Sequence, residues 1–545
     1  MAFYSAWLLL HFIQAFHTEL FDDEAYYWVY SKFPEWGYFD HPPMIALLIK
    51  AGYSLFQNEL GVRLFAFLFT TAALFVTELL LERKNPFLFY AICGSLALAQ
   101  IGGLIAAPDS PLMLFVALFF YAYKKFTERM TLLNTVWVGL VIAAMFYTKY
   151  HALLILLFTA LSNLKLLKHW QPYAACLIAL VLFLPHIYWQ YENGYPSLLF
   201  HLFERNAPGY DPLNTLEFVG GQMLIAGPLT GWLLIFAALR YKTTSDVERA
   251  LRFVLIGFYA FFLLSTFRGN AEANWTIPAF IGLIVLSHQY LLDRTKLRHL
   301  LYRFLPLTIT LVFIGRVIMF ANVPPAWWIF KDEFHGNKVF AKQIHTRAKD
   351  LPVVFLDTYQ KPSKYWYYAG DTALALNTPT YRRNNYNYWP IEENYIGRPA
   401  YVFGQYNESF DDVFILRSGE KNGGRFVPNY FSFSKVMIDN VETEQVEKTL
   451  SLRFTIQTPV EYLKYFQQAP YDSSSVYMAI YKSDSVFQYI NTGLKVSAVD
   501  NPRESQAGIF PLPLAPGTYN CKLAISTCIP GKPSLNSSRF TIDVR

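Results

Sequence analysis

Residues 132–164 read LLNTVWVGLVIAAMFYTKYHALLILLFTALSNL, one apolar run broken only by Thr148-Lys149-Tyr150-His151. Each arm has the composition of a membrane helix, and the polar break between them is long enough only for a turn. The same pattern repeats outward in both directions. Apolar runs fall at 3–20, 61–81, 87–107, 110–123, 132–148, 150–164, 173–190, 217–239, 250–267, 275–291 and 303–320, which predicts about eleven crossings. Composition agrees. Of 545 residues, 54% are hydrophobic and 16% charged, where a soluble domain carries about 25% charged residues. Four Cys are too few for a disulfide-stapled scaffold, and a net charge of +6 over this length is no nucleic-acid footprint. The expected class is a polytopic α-helical membrane protein with a water-soluble tail after about residue 320.

The first run, Phe3 to Leu20, lacks the basic start and small-residue cleavage site of a signal peptide, so it is expected to be a retained helix. Orientation follows from the basic residues. Arg83-Lys84, Lys124-Lys125 with Arg129, Lys165 with Lys168, Arg240 with Lys242, and Arg294 to Arg303 occupy alternate loops, which belong on the cytoplasmic side. Loops 21–60, 108–110, 148–151, 191–216 and 268–274, and the tail from 321, are then extracytoplasmic.

Chemistry-bearing residues gather on that second side. Phe21-Asp22-Asp23-Glu24-Ala25-Tyr26-Tyr27-Trp28 places three acids at the mouth of the first helix. Acids there are costly unless water, a cation or chemistry uses them, although acids also favour a helix's first turn. Gly37-Tyr38-Phe39-Asp40-His41-Pro42-Pro43-Met44 follows. Its paired prolines fix a turn and keep Asp40 and His41 outside a helix. Met44 to Leu55 is too short to span and reads as an amphipathic interfacial helix. Pro108-Asp109-Ser110-Pro111 supplies another acid, which can also serve as a cap. Lys149 and Arg268 run against the positive-inside bias. A snorkelling role explains Lys149 less well for that reason. Glu272 and Trp275 complete the mouth at 268–275. Acids and cations together on one face suit a carboxylate base acting beside a lipid phosphate.

These motifs resemble GT-C glycosyltransferases that use a polyprenyl-phosphate sugar, in the bacterial branch of the dolichyl-phosphate-mannose–protein mannosyltransferase family, which includes the lipid A aminoarabinose transferase. The resemblance rests on Asp23-Glu24 after the first helix, Tyr38 to Pro43, Pro108 to Pro111, and Lys149-Tyr150. It covers 1–320 well and extends more thinly over Leu351 to Pro390. It implies an inner-membrane enzyme whose site and tail are periplasmic, with Asp23 as catalytic base and Asp109 helping to form the site; Glu24, beside Asp23, is the further catalytic candidate, there to hydrate, orient or pair. The resemblance and the charge pattern together make Lys149, Arg268 and His41 candidate ligands of the donor phosphate. Tyr26, Asp40, Glu272 and Trp275 are candidate substrate contacts. No cofactor is required; Asp40 and His41 are the pair that could hold a divalent metal. The expected partners are the lipid-linked sugar donor, an extracytoplasmic acceptor (protein, lipid A or another glycan) and the bilayer, with no nucleic acid. The aminoarabinose branch has basic residues after the Asp-Glu pair and before Pro-Pro. Here Ala25-Tyr26-Tyr27 and His41 stand in those places, which speaks against an aminoarabinose donor.

The tail divides by composition into a mixed α/β domain at 321–435 and a β-sandwich-like domain at 436–545. Its expected strands are Leu450 to Thr455, Val476 to Tyr481, Leu494 to Val499, Tyr519 to Ile525 and Phe540 to Val544. Cys521 and Cys528 leave a disulfide open. Two other classes compete with the transferase. A secondary transporter would show two similar halves with broken midplane helices, and no such repeat is evident. A membrane scaffold would leave the one-sided charge cluster unexplained.

Overall fold

The side chains of Asn58, Asn85, Thr131, Asp211 and Ser245 each accept a hydrogen bond from an amide two or three residues further on, and each opens a helix. A computed structural model describes residues 2–204, 210–321, 323, 332–405, 410–415, 419–483 and 485–545. The chain forms two units, Met1–His335 and Gly336–Arg545.

The first unit is helical: α1 (Ala2–His17), α2 (Asp22–Lys32), α3 (Met44–Leu55), α4 (Glu59–Leu79), α5 (Pro86–Ser95), α6 (Asp109–Glu128), α7 (Leu132–Thr148), α8 (Ala152–Ser162), α9 (Gln171–Glu192), α10 (Pro196–Leu199), α11 (Pro212–Ile225), α12 (Gly231–Arg240), α13 (Asp246–Ser265), α14 (Phe280–Leu292) and α15 (Thr295–Ala321). Among the described residues, Glu59–Leu79, Gln171–Glu192, Ala273–Leu292 and Thr295–Ala321 are long and apolar enough to cross a membrane. Several other apolar helices are shorter. The eleven residues of α8 rise only about 16 Å, roughly half of a bilayer's hydrocarbon core.

Every apolar run read from the sequence contains helix, but three of them are divided, the run at 275–291 passing from a tighter helical stretch, Ala273–Ala279, into α14. The run at 217–239 breaks between α11 and α12, where Gly227 takes a left-handed φ of +132° and Pro228 removes an amide. A Cβ on Gly227 would also lie 2.7 Å from the Ser95 carbonyl. The run at 87–107 ends its α-helix at Ser95 and continues as a π turn, Leu98–Gly102. As the paired prolines predict, α3 starts at Met44 directly after Pro43.

Contacts sort the loops into two sets. Arg83 pairs with Asp293 at 2.9 Å, Lys124 with Glu82 at 2.8 Å, and Arg249 donates to the Ser162 carbonyl at 2.8 Å. These join the basic loops to one another. At the other helix ends, Ala106 N–H donates to Glu24, Lys149 pairs with Asp109, and His186 contacts Trp36. The alternation in the charge pattern is therefore present in three dimensions.

In the second unit, α16 (Asn337–Ala348) and α17 (Gln360–Ala369) pack beside β1 (Val353–Leu356), β2 (Ala373–Leu376), β3 (Ala400–Gln405), β4 (Asp412–Ile415) and β5 (Lys421–Val427). Strand order is β2-β1-β3-β5-β4, with β1 parallel to both neighbours. Beyond it lie β6 (Met437–Val446), β7 (Thr449–Gln457), α18 (Val460–Phe466), β8 (Ser475–Lys482), β9 (Ser485–Lys495), β10 (Arg503–Pro511), β11 (Gly517–Ile525), β12 (Ser534–Leu535) and β13 (Phe540–Val544). One sheet runs β10-β7-β6, the other β12-β11-β8-β9 with β13 on β11. Alternating residues of both sheets, such as Leu452, Phe454, Met478 and Leu523, share one core. The run at Leu494–Val499 holds the last two residues of β9 and then a tight helical turn, Val496–Ala498; the polar Gln488, Asn491 and Thr492 hide the rest of β9 from a hydrophobicity reading. Cys521 and Cys528 are free thiols, which burial pushes up to about 12 and about 11.

Glu392 lies between the α/β sheet and the two-sheet region. It is fully buried and accepts bonds from Ser432 Oγ, Ser434 N–H and Oγ, and, at 2.8 Å, Tyr462 O–H. Glu392→Ala leaves these donors unpaired and is expected to cost about 3 kcal/mol or more. The check is loss of protease resistance of the tail in the full-length protein at a lower temperature than wild type.

Candidate active site

The first turn of α2 carries Asp22, Asp23 and Glu24, the favoured place for acids on a helix. Glu24 is fully buried. Its carboxylate takes Arg63 Nε at 2.8 Å and Nη2 at 2.5 Å, the Phe21 amide at 2.9 Å and the Ala106 amide at 2.8 Å. The Arg63 guanidinium also donates to the carbonyls of Ala15, Thr18 and Glu19. The end of α1, the start of α2, α4 and the segment before α6 therefore meet at one ion pair. Asp23, the neighbouring residue, is half-buried.

Asp109 opens α6 and Lys149 ends α7, where a cation meets the helix's carbonyl end favourably. Lys149 Nζ lies 2.7 Å from Asp109 Oδ1, with both side chains about nine-tenths buried. Asn274 Nδ2 donates to Asp109 Oδ2 at 3.1 Å. This trio, two members buried and Asn274 half-buried, joins three loops spread over 165 residues of sequence.

The α2–α3 corner is held from behind by α9 and α10. Tyr38 N–H donates to the His41 carbonyl, closing the turn. His186 Nδ1 is 2.7 Å from the Trp36 carbonyl and its Nε2 is 3.0 Å from Tyr150 O–H. A carbonyl can only accept, so the neutral ring donates from Nδ1 and receives the Tyr150 hydroxyl at Nε2. Ser197 Oγ donates to the Tyr38 carbonyl at 2.9 Å, and a His201 ring nitrogen is 3.1 Å from the Asp40 carbonyl. Gly37 must be glycine, because a Cβ would sit 2.4 Å from the Trp189 ring.

Asp40 is buried and accepts Tyr30 O–H. Burial first, and Asp40's charge second, push the Tyr30 phenol up and keep it a donor. His41 lies within electrostatic reach of Asp40, Lys149, His201 and Asp109, and burial lowers its imidazole to about 4. Its Nδ1 is buried with no hydrogen-bond partner among the described residues.

The structure thus brings Asp109 to Lys149 and puts His41 near Asp40 and both members of that pair. Glu24, through Ala106, brings α2's start beside the loop that leads to Asp109. Tyr26 is fully buried against Tyr27 and Tyr30. Trp275 packs on Phe262 and on His151, two residues beyond Lys149. Arg268 and Glu272 are exposed, and Glu272 accepts from Asn270 at 3.0 Å. Among the described residues, no three His, Cys, Asp or Glu gather as a metal site. Asp40 and His41 supply one oxygen and one nitrogen donor.

The sequence reading missed Arg63, Asn274, His186, Ser197 and His201. Arg63 carries the signal used for Lys149, a cation against the positive-inside bias. His186 and Gln190 are polar residues one turn apart in an apolar helix, which is also a legible signal.

Residues 40–189 match the family model described as dolichyl-phosphate-mannose-protein mannosyltransferase. The lipid A galacturonosyltransferase RgtD of Rhizobium johnstonii is 25% identical over 287 residues, which cover 50% of this chain and 60% of RgtD. The aligned part thus spans about three fifths of that relative's length. The fold is similar to that of ArnT from Cupriavidus metallidurans. The apo structure superposes with a TM-score of 0.58 at 12% identity, over 78% of this chain and 97% of that one. The structure bound to undecaprenyl phosphate gives 0.56 at 13% identity, with the same coverage. All three likenesses agree with the resemblance to GT-C glycosyltransferases of this type read from the sequence.

Arg63→Met leaves Glu24 buried without its cation and is expected to cost about 3–5 kcal/mol, whereas Arg63→Met with Glu24→Leu recovers part of it. Thermal unfolding in detergent measures both. His41 gives a pH test. A folded-state value depressed from 6.5 to about 4 contributes stability that is present above 6.5 and is lost as pH falls through about 4. The stability difference between wild type and His41→Gln should be constant above that window and shift across it.

Proposed function

We propose that this chain is an inverting glycosyltransferase that moves a sugar from a polyprenyl-phosphate carrier to an extracytoplasmic acceptor. The reading places it in the inner membrane, with the Asp23 end of the helices and the tail facing the periplasm. The observation that carries it is the buried Lys149–Asp109 pair with Asn274 on its second carboxylate oxygen, within electrostatic reach of His41 in the loop that also holds Asp23 and Asp40.

Asp23 takes the proton from an acceptor hydroxyl or amine. The freed electron pair attacks the anomeric carbon from the face opposite the phosphate. The bond from that carbon to the phosphate oxygen breaks, and the electron pair leaves with the oxygen. A phosphate diester becomes a monoester, so the leaving group needs no protonation; it needs positive charge nearby. An ammonium has three donors. One holds Asp109, which leaves two on Lys149 for the phosphate. Asp109 thereby fixes where that charge stands. Arg268 and His41 are the further phosphate ligands proposed, Arg268 from the exposed approach beside Asn274. Asp40, Tyr26, Glu272 and Trp275 shape the substrate site. Glu24 acts by position, locking the helix turn that presents Asp23. The reaction as written uses no metal; a divalent ion on Asp40 and His41 would need further ligands.

RgtD is named for lipid A and ArnT was seen with undecaprenyl phosphate. Lipid A is therefore the first acceptor to test and an undecaprenyl-phosphate sugar the first donor. Asp23→Asn is expected to abolish transfer in purified protein that folds as wild type. Lys149→Ala is expected to lower turnover by about 10²–10³. Transfer by Asp23→Asn at the wild-type rate would remove Asp23 as the base.

A further inference from the structure

At the basic ends of the helices, away from the trio, the connections after α6 and α8 and the start of α13 enclose an open cavity of about 550 Å³. That is within the range of about 300–1,000 Å³ typical of ligand pockets. Its polar wall includes Thr127, Ser162, Asn163, Lys165 and His169, with Met130, Leu161 and Leu164 on the apolar side.

Charge in this wall is unbalanced. Asp246 is its one acid, and Arg249 neutralises it at 2.7 Å while donating to the Ser162 carbonyl. Lys165 and His169 are exposed and form no ion pair among the described residues; the same is true of Lys168 and Arg129, which neighbour lining residues in the chain. A cation that needs no protein partner is available to an anion from outside.

The rim is apolar and wet by turns. Leu161, Leu164 and Leu167 are about half exposed, and Trp170 and Tyr173 stand beside them, 61% and 57% exposed. Tyr173 O–H donates to the Leu167 carbonyl at 2.9 Å. Exposed leucines next to amphipathic aromatic rings and lysines mark the depth where acyl chains give way to headgroups.

We propose that this cavity binds the headgroup of an anionic phospholipid of the cytoplasmic leaflet, the phosphate on Lys165 and His169 and the acyl chains along Leu161, Leu164 and Leu167. Basic pockets between helices on that side are suited to such headgroups. The proposal rests on the sidedness of the charge pattern and is independent of the transfer reaction.

The test uses full-length protein in nanodiscs of phosphatidylcholine with and without phosphatidylglycerol, with retained lipid counted by native mass spectrometry. Wild type is expected to retain phosphatidylglycerol in preference to phosphatidylcholine. Lys165→Gln should weaken retention about fivefold and Lys165→Gln with Lys168→Gln about 25-fold, at roughly one surface-cation contribution each. Both lysines are exposed, so folding is not at stake. Unchanged retention in the double variant would overturn the proposal. So would inorganic phosphate displacing the lipid as well as phosphatidylglycerol does, since the site would then recognise a free anion.

Discussion

The Arg63–Glu24 ion pair is the constraint on which the rest of the outer loops depend. A buried pair of charges persists only if every remaining lone pair and N–H is satisfied. Here the Glu24 carboxylate is completed by the amides of Phe21 and Ala106, and Arg63 by three carbonyls at the end of α1. Satisfying those groups forces four chain segments to one point. The position of Asp23 follows from its neighbour's bonds.

The Lys149–Asp109 pair uses the same physics differently. It is nearly as buried, yet among the described residues one carboxylate oxygen fills only one of Lys149's three donors. A pair completed on every side acts as a joint, and a pair left partly open can meet a ligand. The loop carrying Asp40 and His41 is held through its backbone carbonyls by Ser197 and rings of α9 and the segment after α10, so its own side chains need not do the holding.

Much of this was legible beforehand. The helices, the short pair flanking Pro42-Pro43, and the alternation of basic loops follow from apolar run length, proline chemistry and charge. The breaks at Gly227-Pro228 and after Ser95 were not, because both sit within uninterrupted apolar composition. Strands β6 and β10 were missed because their outward residues are polar and they cover the core from one face only. In the site, Asp109 and Lys149 could each be singled out, but that they touch could not.

The sequence by itself determined where chain must be helical and which loops share an end, since those depend on local apolar length and on charge beside it. Tertiary structure decided which acid is the joint. Asp23 and Glu24 are neighbours of the same kind, and the arrival of Arg63 and the Ala106 amide makes Glu24 the joint. That decision lies in contacts between residues 39 and 82 positions apart, which no local pattern encodes.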